Sequence, residues 1–554
     1  MTSRRSSPFT PVAMSDTPLF LQHRRWSVFL LVSLCGVLYL YGLGTRDFET
    51  TDEARRALVV RGMVDRGNYA VPEISGHPYL QKPPLYYWLA AIVQKASGST
   101  DEWVYRLPSA LAATGSVVLL FLIADRLLSR RAALVSSAML ATCALFIVYG
   151  ARAGIDMTLC FLVTLSMLCL LQAREADWRG TMAWGFWGAT GLAFLAKGPI
   201  GLFFPLAAAT ALAAGPGFVA EIRKMRPLLG LLVALALVLP WAALILDQIG
   251  AEAMISLMRE EVFGGFRGGP SRHPQPLLFY LYETPVLFLP WAFLLPAGVL
   301  ALREKKSDGE RKALLLAAAW LLPALIVFSL SHQKREYYLL PSFGALALWI
   351  GWTADRFLLS PATGDERGVA RRLTRLGFLA LTAVAAAGAL AGGAYLRSRH
   401  PDLSDAVGIA LAAVALWALF ALISLRRGRP GRAIAAVVIC AVLYVGTARG
   451  ALAGWLNEKY SPRHAALQIA REVPPEAELL SLFRSELFIE AYVGRPVLRI
   501  DNDRELRRRL AAGKNVYVLI NSALYPARRH LFRQVVIPSI VLPGKSNVIM
   551  LASN

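Results

Sequence analysis

The chain has 554 residues, of which 56% are hydrophobic and only 17% charged, and its mean hydropathy is +0.48. Ordinary soluble chains carry about 25% charged residues, which excludes a cytosolic enzyme, a secreted scaffold and a nucleic-acid binder, and leaves a polytopic membrane protein. A formal charge of +22 would suggest nucleic acid in a soluble chain, but here the bases stand in short clusters between apolar runs and read as topology signals.

Residues 1–25 are polar, with Arg4, Arg5, Arg24 and Arg25, and the apolar run 26–44 reads as an uncleaved anchor because no small-residue cleavage site follows it. A bilayer takes about 20 apolar residues per span, which predicts about thirteen transmembrane helices. They begin near residues 26, 107, 132, 155, 182, 199, 227, 278, 312, 338, 374, 405 and 432. Basic clusters at Arg126/Arg130/Arg131, Arg174/Arg179, Arg223/Lys224/Arg226, Arg303/Lys305/Lys306/Arg311/Lys312, Arg367/Arg371/Arg372/Arg375 and Arg426/Arg427/Arg429/Arg432 alternate with loops nearly bare of base. The positive-inside rule then predicts a cytoplasmic N-terminus, and an odd number of spans places the C-terminus across the membrane. Residues 1–454 read as the membrane part, with long outer loops at 45–106 and 246–277. Residues 455–554 change character: helical patterns at 462–472 and 503–512 and β-rich runs at 515–520 and 534–541 predict a small outer α/β domain. The cysteines Cys35, Cys143, Cys160, Cys169 and Cys440 lie in apolar runs without CxxC spacing and read as small buried hydrophobes.

Several charges stand beside or within spans on the outer side, where topology does not ask for them. These are Arg152 and Asp156 in YGARAGID, Lys197 in LAKGPIG, and Lys334 and Arg335 in SHQKREYYLLP. Membrane-edge charge is costly and usually functional; for each alone the alternative is a structural ion pair or a snorkelling anchor. Together the bases suit an anionic group held at headgroup depth, such as a lipid phosphate.

The first outer loop gives Asp52-Glu53 and then Arg55 and Arg56. An aspartate at a membrane edge can orient a sugar or take a proton from an acceptor; equally open is a solvated helix start capped by Thr50 or Thr51. Further on, Gln81-Lys82-Pro83-Pro84 precedes Leu85-Tyr86-Tyr87-Trp88. The prolines are expected to stop a helix, the aromatics to mark the lipid interface, and Lys82 to sit at the water boundary facing a phosphate. In the second loop, Glu260, Glu261, Arg267, Arg272 and His273 among glycines suggest a segment that folds over substrate. His273 with a glutamate is a candidate divalent-metal pair, although a polar loop holding no metal is the stronger reading.

The order of these motifs resembles the polyprenyl-phosphate-dependent glycosyltransferases of the GT-C fold, in the protein O-mannosyltransferase superfamily, and more closely the bacterial lipid A aminoarabinose transferases. The matching stretches are Thr51-Asp52-Glu53-Ala54-Arg55, Gly67-Asn68-Tyr69-Ala70-Val71-Pro72, Lys82-Pro83, Tyr86/Tyr87-Trp88, Val148-Tyr149-Gly150, Asp156, Lys197-Gly198, Arg267, His273 and Tyr338-Leu339-Leu340-Pro341. Gln81 and Met157 depart from the family's usual Glu and Pro at those places. The resemblance implies an inner-membrane enzyme that moves 4-amino-4-deoxy-L-arabinose, with inversion, from undecaprenyl phosphate to a phosphate of lipid A. It implies Asp52, Asp156 and Glu53 as catalytic residues. Lys82, Arg55, Arg267, Lys197, Tyr338, Arg152 and Tyr86 would be substrate-binding residues. The departing lipid phosphate needs cations, for which Lys82, Arg267 and Arg55 are the candidates. The acceptor phosphate is already ionised and needs little base catalysis, so Asp52 is left with three roles: stabilising an oxocarbenium-like sugar, holding its amine, or fixing the arginines. Asp156 would support Asp52 or the basic cluster, and apolar residues of the sixth to tenth spans would house the isoprenyl chain. The same fold with another sugar, or with a protein or glycan acceptor, is the rival reading. A lipid transporter is disfavoured by the absence of paired halves.

Overall fold

A computed structural model describes residues 23–263, 275–360, 368–399, 404–482, 486–512, 515–541 and 548–553. Each predicted span is helical. The first half comprises Arg24–Cys35 with the π-turn Gly36–Leu40, Glu102–Leu127, Arg130–Thr142 with Ala144–Tyr149, Ile155–Glu175, Thr181–Lys197, Pro199–Ala213 and Pro227–Phe263. The second comprises Phe279–Leu287 with Leu295–Ala301, Asp308–Leu330, Glu336–Ser342 running into Phe343–Ala354, Gly368–Arg399, Ser404–Arg426 and Pro430–Gly446. Among the described residues, six helices are long and apolar enough to cross a membrane unaided, or seven if the bent pair Phe279–Leu287 and Trp291–Ala301 is one span. The others are short or composite. Gly198, at φ +66°, divides one apolar stretch into helices of 17 and 15 residues, and several others are pieced together from α, 3-10 and π turns. The protein is a multi-pass helical membrane protein.

Two expected loops are largely helical. Segment 45–106 carries the helices Thr51–Arg66 and Leu85–Ser97 and a hairpin of β1 (Glu73–Ile74) and β2 (His77–Pro78). The prolines at 83 and 84 do not stop a helix: Pro84 is the N-cap of Leu85–Ser97, where the missing N–H is harmless. Residues 246–263 prolong the Pro227–Phe263 helix past a break at Gly250 (φ 79°); glutamates such as Glu260 and Glu261 are good helix formers and do not interrupt it.

The C-terminal part follows Ala453–Tyr460 with the helices Arg463–Glu472, Glu486–Val493 and Asp503–Ala511. Its strands are β3 (Glu478–Ser481), β4 (Val497–Arg499), β5 (Val516–Asn521), β6 (Gln534–Val541) and β7 (Val548–Ser553), in the order β4-β3-β5-β7-β6. The first three strands are parallel; β7 runs antiparallel to both β5 and β6. Side chains alternate across the sheet: Leu479, Leu519 and Ile537 pack with Ile469 and Ile489, while Leu480 and Val518 pack with Leu506 and Leu510.

The main core fills the helix bundle around Tyr39, Phe121, Phe146, Trp291, Trp320 and Phe343. A second core lies under the Thr51–Arg66 helix and joins Phe48, Val60, Met63, Tyr86, Tyr105 and Ile155 to Ala491 of the C-terminal part. One packed unit therefore holds segment 45–106 between the bundle and the α/β region.

Candidate active site

The Thr51–Arg66 helix begins at Thr50, whose side chain accepts the Glu53 N–H at 3.2 Å. Asp52 and Glu53 are consecutive, so they point about 100° apart around the axis, and positions three and four residues from Asp52 share its face. Asp52 accordingly pairs with Arg55, and Arg56 donates to the Asp52 carbonyl at 2.8 Å with its guanidinium 3.7 Å from the carboxylate. The Asp52 side chain is 47% exposed. Burial pushes its carboxyl up, but Arg56, Arg55 and Arg335 outweigh this and hold it below the usual aspartate range.

Glu53 turns the other way and is only 1% exposed. Arg106 grips it through two N–H groups, at 2.9 and 3.2 Å, and the backbone N–H groups of Glu49 and Ala153 donate to it at 2.9 and 3.0 Å. Arg106 also donates to the carbonyls of Leu43, Arg46 and Asp47. Both charges are thus fully engaged, and Glu53, expected to be catalytic, is a buried anchor that cannot reach a substrate. Tyr86 is corrected likewise. It is fully buried and its hydroxyl donates to the Tyr105 carbonyl at 2.6 Å, so it packs the floor of the site and offers no hydroxyl to a ligand.

A second acid comes from the bundle. Asp156 lies in the first turn of Ile155–Glu175, where a negative charge suits the helix dipole, and it pairs with Lys197 at the end of Thr181–Lys197. Both side chains are 8% exposed. The positive φ at Gly198 turns the chain immediately after this lysine, and a Cβ at Gly201 would fall 1.9 Å from the Ala193 carbonyl oxygen, so glycine is required for the two helices to close. The Lys197 ammonium lies 5.2 and 5.5 Å from the ring centres of Tyr337 and Tyr338, within cation–π reach.

Lys82 completes the group. Burial foremost, then Lys197 and Arg56, push its ammonium down to about 8, against the opposing pull of Asp156 and Asp52. Arg56 is the member that sequence reasoning did not select. Its Nε–H is buried and makes no hydrogen bond among the described residues, and Tyr87, Asp52, Asp156 and Tyr86 surround it electrostatically. Its position four residues after Asp52 was the available signal. Arg335, noted as a charge but not assigned to the site, faces Asp52 from across the bundle.

Asp52, Arg55, Lys82, Asp156, Lys197 and Tyr338 are therefore brought together, with Arg56, Arg335 and Tyr337 added. Arg152 stands beside the group, 3.5 Å from Glu49 and 5.8 Å from the Tyr149 ring centre. Lys334 is apart: it is buried and donates to the carbonyls of Ser331 and Gln275 at 2.6 and 3.1 Å. Arg267 and His273 lie outside the described residues. Among the described residues no group of three or more His, Cys, Asp or Glu could hold a metal ion. Five bases and two acids thus meet at one end of the bundle, an excess of cations suited to a phosphate-bearing ligand.

Residues 81–243 match a family described as dolichyl-phosphate-mannose-protein mannosyltransferase. The undecaprenyl phosphate-alpha-4-amino-4-deoxy-L-arabinose arabinosyl transferase of Pseudomonas paraeruginosa is 30% identical over 471 residues, 83% of this chain and 82% of the relative. That of Pseudomonas aeruginosa is 30% identical over 470 residues, with the same coverage. The crystal structure of ArnT from Cupriavidus metallidurans bound to undecaprenyl phosphate superposes with a TM-score of 0.78 at 21% identity, over 96% of this chain and 98% of that one.

Proposed function

The chain belongs to the undecaprenyl phosphate-aminoarabinose arabinosyl transferase family, and from that membership we propose that it moves 4-amino-4-deoxy-L-arabinose from undecaprenyl phosphate to a phosphate of lipid A. An oxygen of the acceptor phosphate attacks the anomeric carbon from the face opposite the carrier. The bond from that carbon to the carrier phosphate breaks, undecaprenyl phosphate leaves with the electron pair, and the configuration inverts. No proton need be removed from an ionised acceptor.

The observation that carries this reading is the convergence of Arg55, Arg56, Lys82, Lys197 and Arg335 on Asp52 and Asp156. Charge develops on the departing phosphate, and fixed cations in a partly dehydrated site stabilise it without rearranging. Lys82 and the free N–H of Arg56 are the groups best placed to hold that phosphate. Asp52 fixes Arg55 and Arg56 and keeps one carboxylate edge open towards the sugar, where it stabilises positive charge at the anomeric carbon or receives the amine. Asp156 holds Lys197 in place, and Arg267 is a further proposed cation for the carrier phosphate. The enzyme sits in the bacterial inner membrane with its N-terminus in the cytoplasm and this site and the α/β region on the periplasmic side, because the basic loops gather at the other end. In this reading the bases supply the cationic charge, so activity persists after EDTA treatment.

The test is lipid A mass spectrometry from a strain lacking its own transferase. Expression of this chain is expected to add an aminopentose; unchanged lipid A with the protein present in the membrane would contradict the proposed sugar or acceptor.

A further inference from the structure

At the end of the bundle remote from the site, the turn after helix Leu295–Ala301 and the first turns of helix Asp308–Leu330 form an open hollow of about 410 Å³ lined by Leu302, Lys306, Arg311, Leu314 and Leu315. Its apolar wall is well founded: Leu314 packs against the small core of Ala301, Trp352 and Phe357, whereas Leu302 and Leu315 are 45% and 51% exposed. Its cationic wall is set by the backbone. The Lys306 ammonium donates to the carbonyls of Leu302 and Glu304 at 2.6 and 2.7 Å, which fixes its position and leaves one of its three N–H groups uncommitted. Of the neighbouring acids, Glu310 is bound to Arg356, the Trp352 indole and the Ser307 N–H, while Glu304 and Asp308 form no ion pair with Lys306 or Arg311 among the described residues. Among the described residues the Arg311 guanidinium makes no ion pair, and Arg303, Lys305 and Lys312 add charge nearby.

We propose that this hollow is a binding site for an anionic phospholipid of the leaflet facing the basic loops, its phosphate between Lys306 and Arg311 and its first acyl carbons along Leu302, Leu314 and Leu315. A free anion would have no use for three leucines, two of them exposed. A neutral lipid would offer no net charge to a segment, residues 303–312, in which five bases outnumber three acids. Basic pockets between helices on the cytoplasmic side are where such headgroups are held. The site is independent of the transfer reaction, and nothing in the proposed catalysis passes through it.

Native mass spectrometry of the full-length protein, titrated with phosphatidylglycerol, phosphatidylcholine or inorganic phosphate, tests it. The wild type is expected to retain phosphatidylglycerol about 30-fold more tightly than phosphatidylcholine, and the Lys306→Gln/Arg311→Gln protein to lose that preference. Equal retention of the two lipids, an unchanged preference in the double variant, or displacement of phosphatidylglycerol by inorganic phosphate would overturn the proposal. A photoreactive phosphatidylglycerol on the wild type covers the case in which the double variant does not fold. Labelling within residues 302–315 supports the site, and labelling confined to other segments overturns it.

Discussion

The two sides of the Thr51–Arg66 helix carry neighbouring acids and opposite designs. On the side of Glu53, every charge has its partner: Arg106 is bidentate, and backbone groups from residues 43–49 and 153 complete the shell. The α/β region reinforces that side, since Tyr492 accepts the Phe48 N–H at 2.8 Å and donates to Glu102 at 2.9 Å. On the side of Asp52, among the described residues, bases outnumber acids and a buried arginine N–H lacks a partner, and a lysine is held down at about 8. Saturated electrostatics mark the frame; unsaturated electrostatics of one sign mark the place kept for a ligand of the other sign. The difference follows from one residue of helical rotation.

The sharpest way to break this comparison is to remove one partner on the frame side. Glu53→Gln leaves Arg106 charged and buried, and is expected to cost about 3–5 kcal/mol of stability, read as a lowered melting temperature with transfer lost in proportion. Lys82→Ala is expected to cut transfer about a hundredfold by removing a cation from the departing phosphate. Because the fold disfavours the charged form of Lys82, its loss should leave melting unchanged or slightly raised. The Phe48 N–H loses its acceptor in Tyr492→Phe, for about 1–3 kcal/mol; a melting shift without a pH or donor-affinity change would place Tyr492 in the frame.

The pH profile sharpens the comparison most finely. Lys82 binds donor phosphate as the ammonium, so donor affinity of the free enzyme should fall as pH rises through about 8. Bound phosphate favours the ammonium and carries it to higher pH. Lys82→Arg keeps its charge throughout and should abolish the alkaline fall; a fall that persists would assign the titration to another group.

Much of this was legible locally. The Thr50 cap, the apolar helices, the glycine after Lys197 and the alternation of helix and strand after residue 460 all depend on neighbours in the chain. What was not legible depends on distance. Nothing near Glu53 announces that Arg106 and the Ala153 N–H will enclose it, so two adjacent acids looked equivalent. Tyr86 read as an interface aromatic because its acceptor, the Tyr105 carbonyl, belongs to another helix. Arg335 joins Asp52 only because the bundle folds nearly 300 residues of chain back on itself. The helix through residues 246–263 is hard to see in the sequence because charge and glycine stand out more than the helix-forming residues between them.

The central claim, that Asp52 serves the reaction and Glu53 the fold, is tested most directly by measuring transfer and thermal unfolding together on purified Asp52→Asn. The account predicts a destabilisation of about 1 kcal/mol from the weakened pairing with Arg55 and Arg56, well below that of Glu53→Gln, with transfer from the lipid-linked donor abolished. Retained transfer, or a loss of transfer accompanied by destabilisation as large as that of Glu53→Gln, would contradict it.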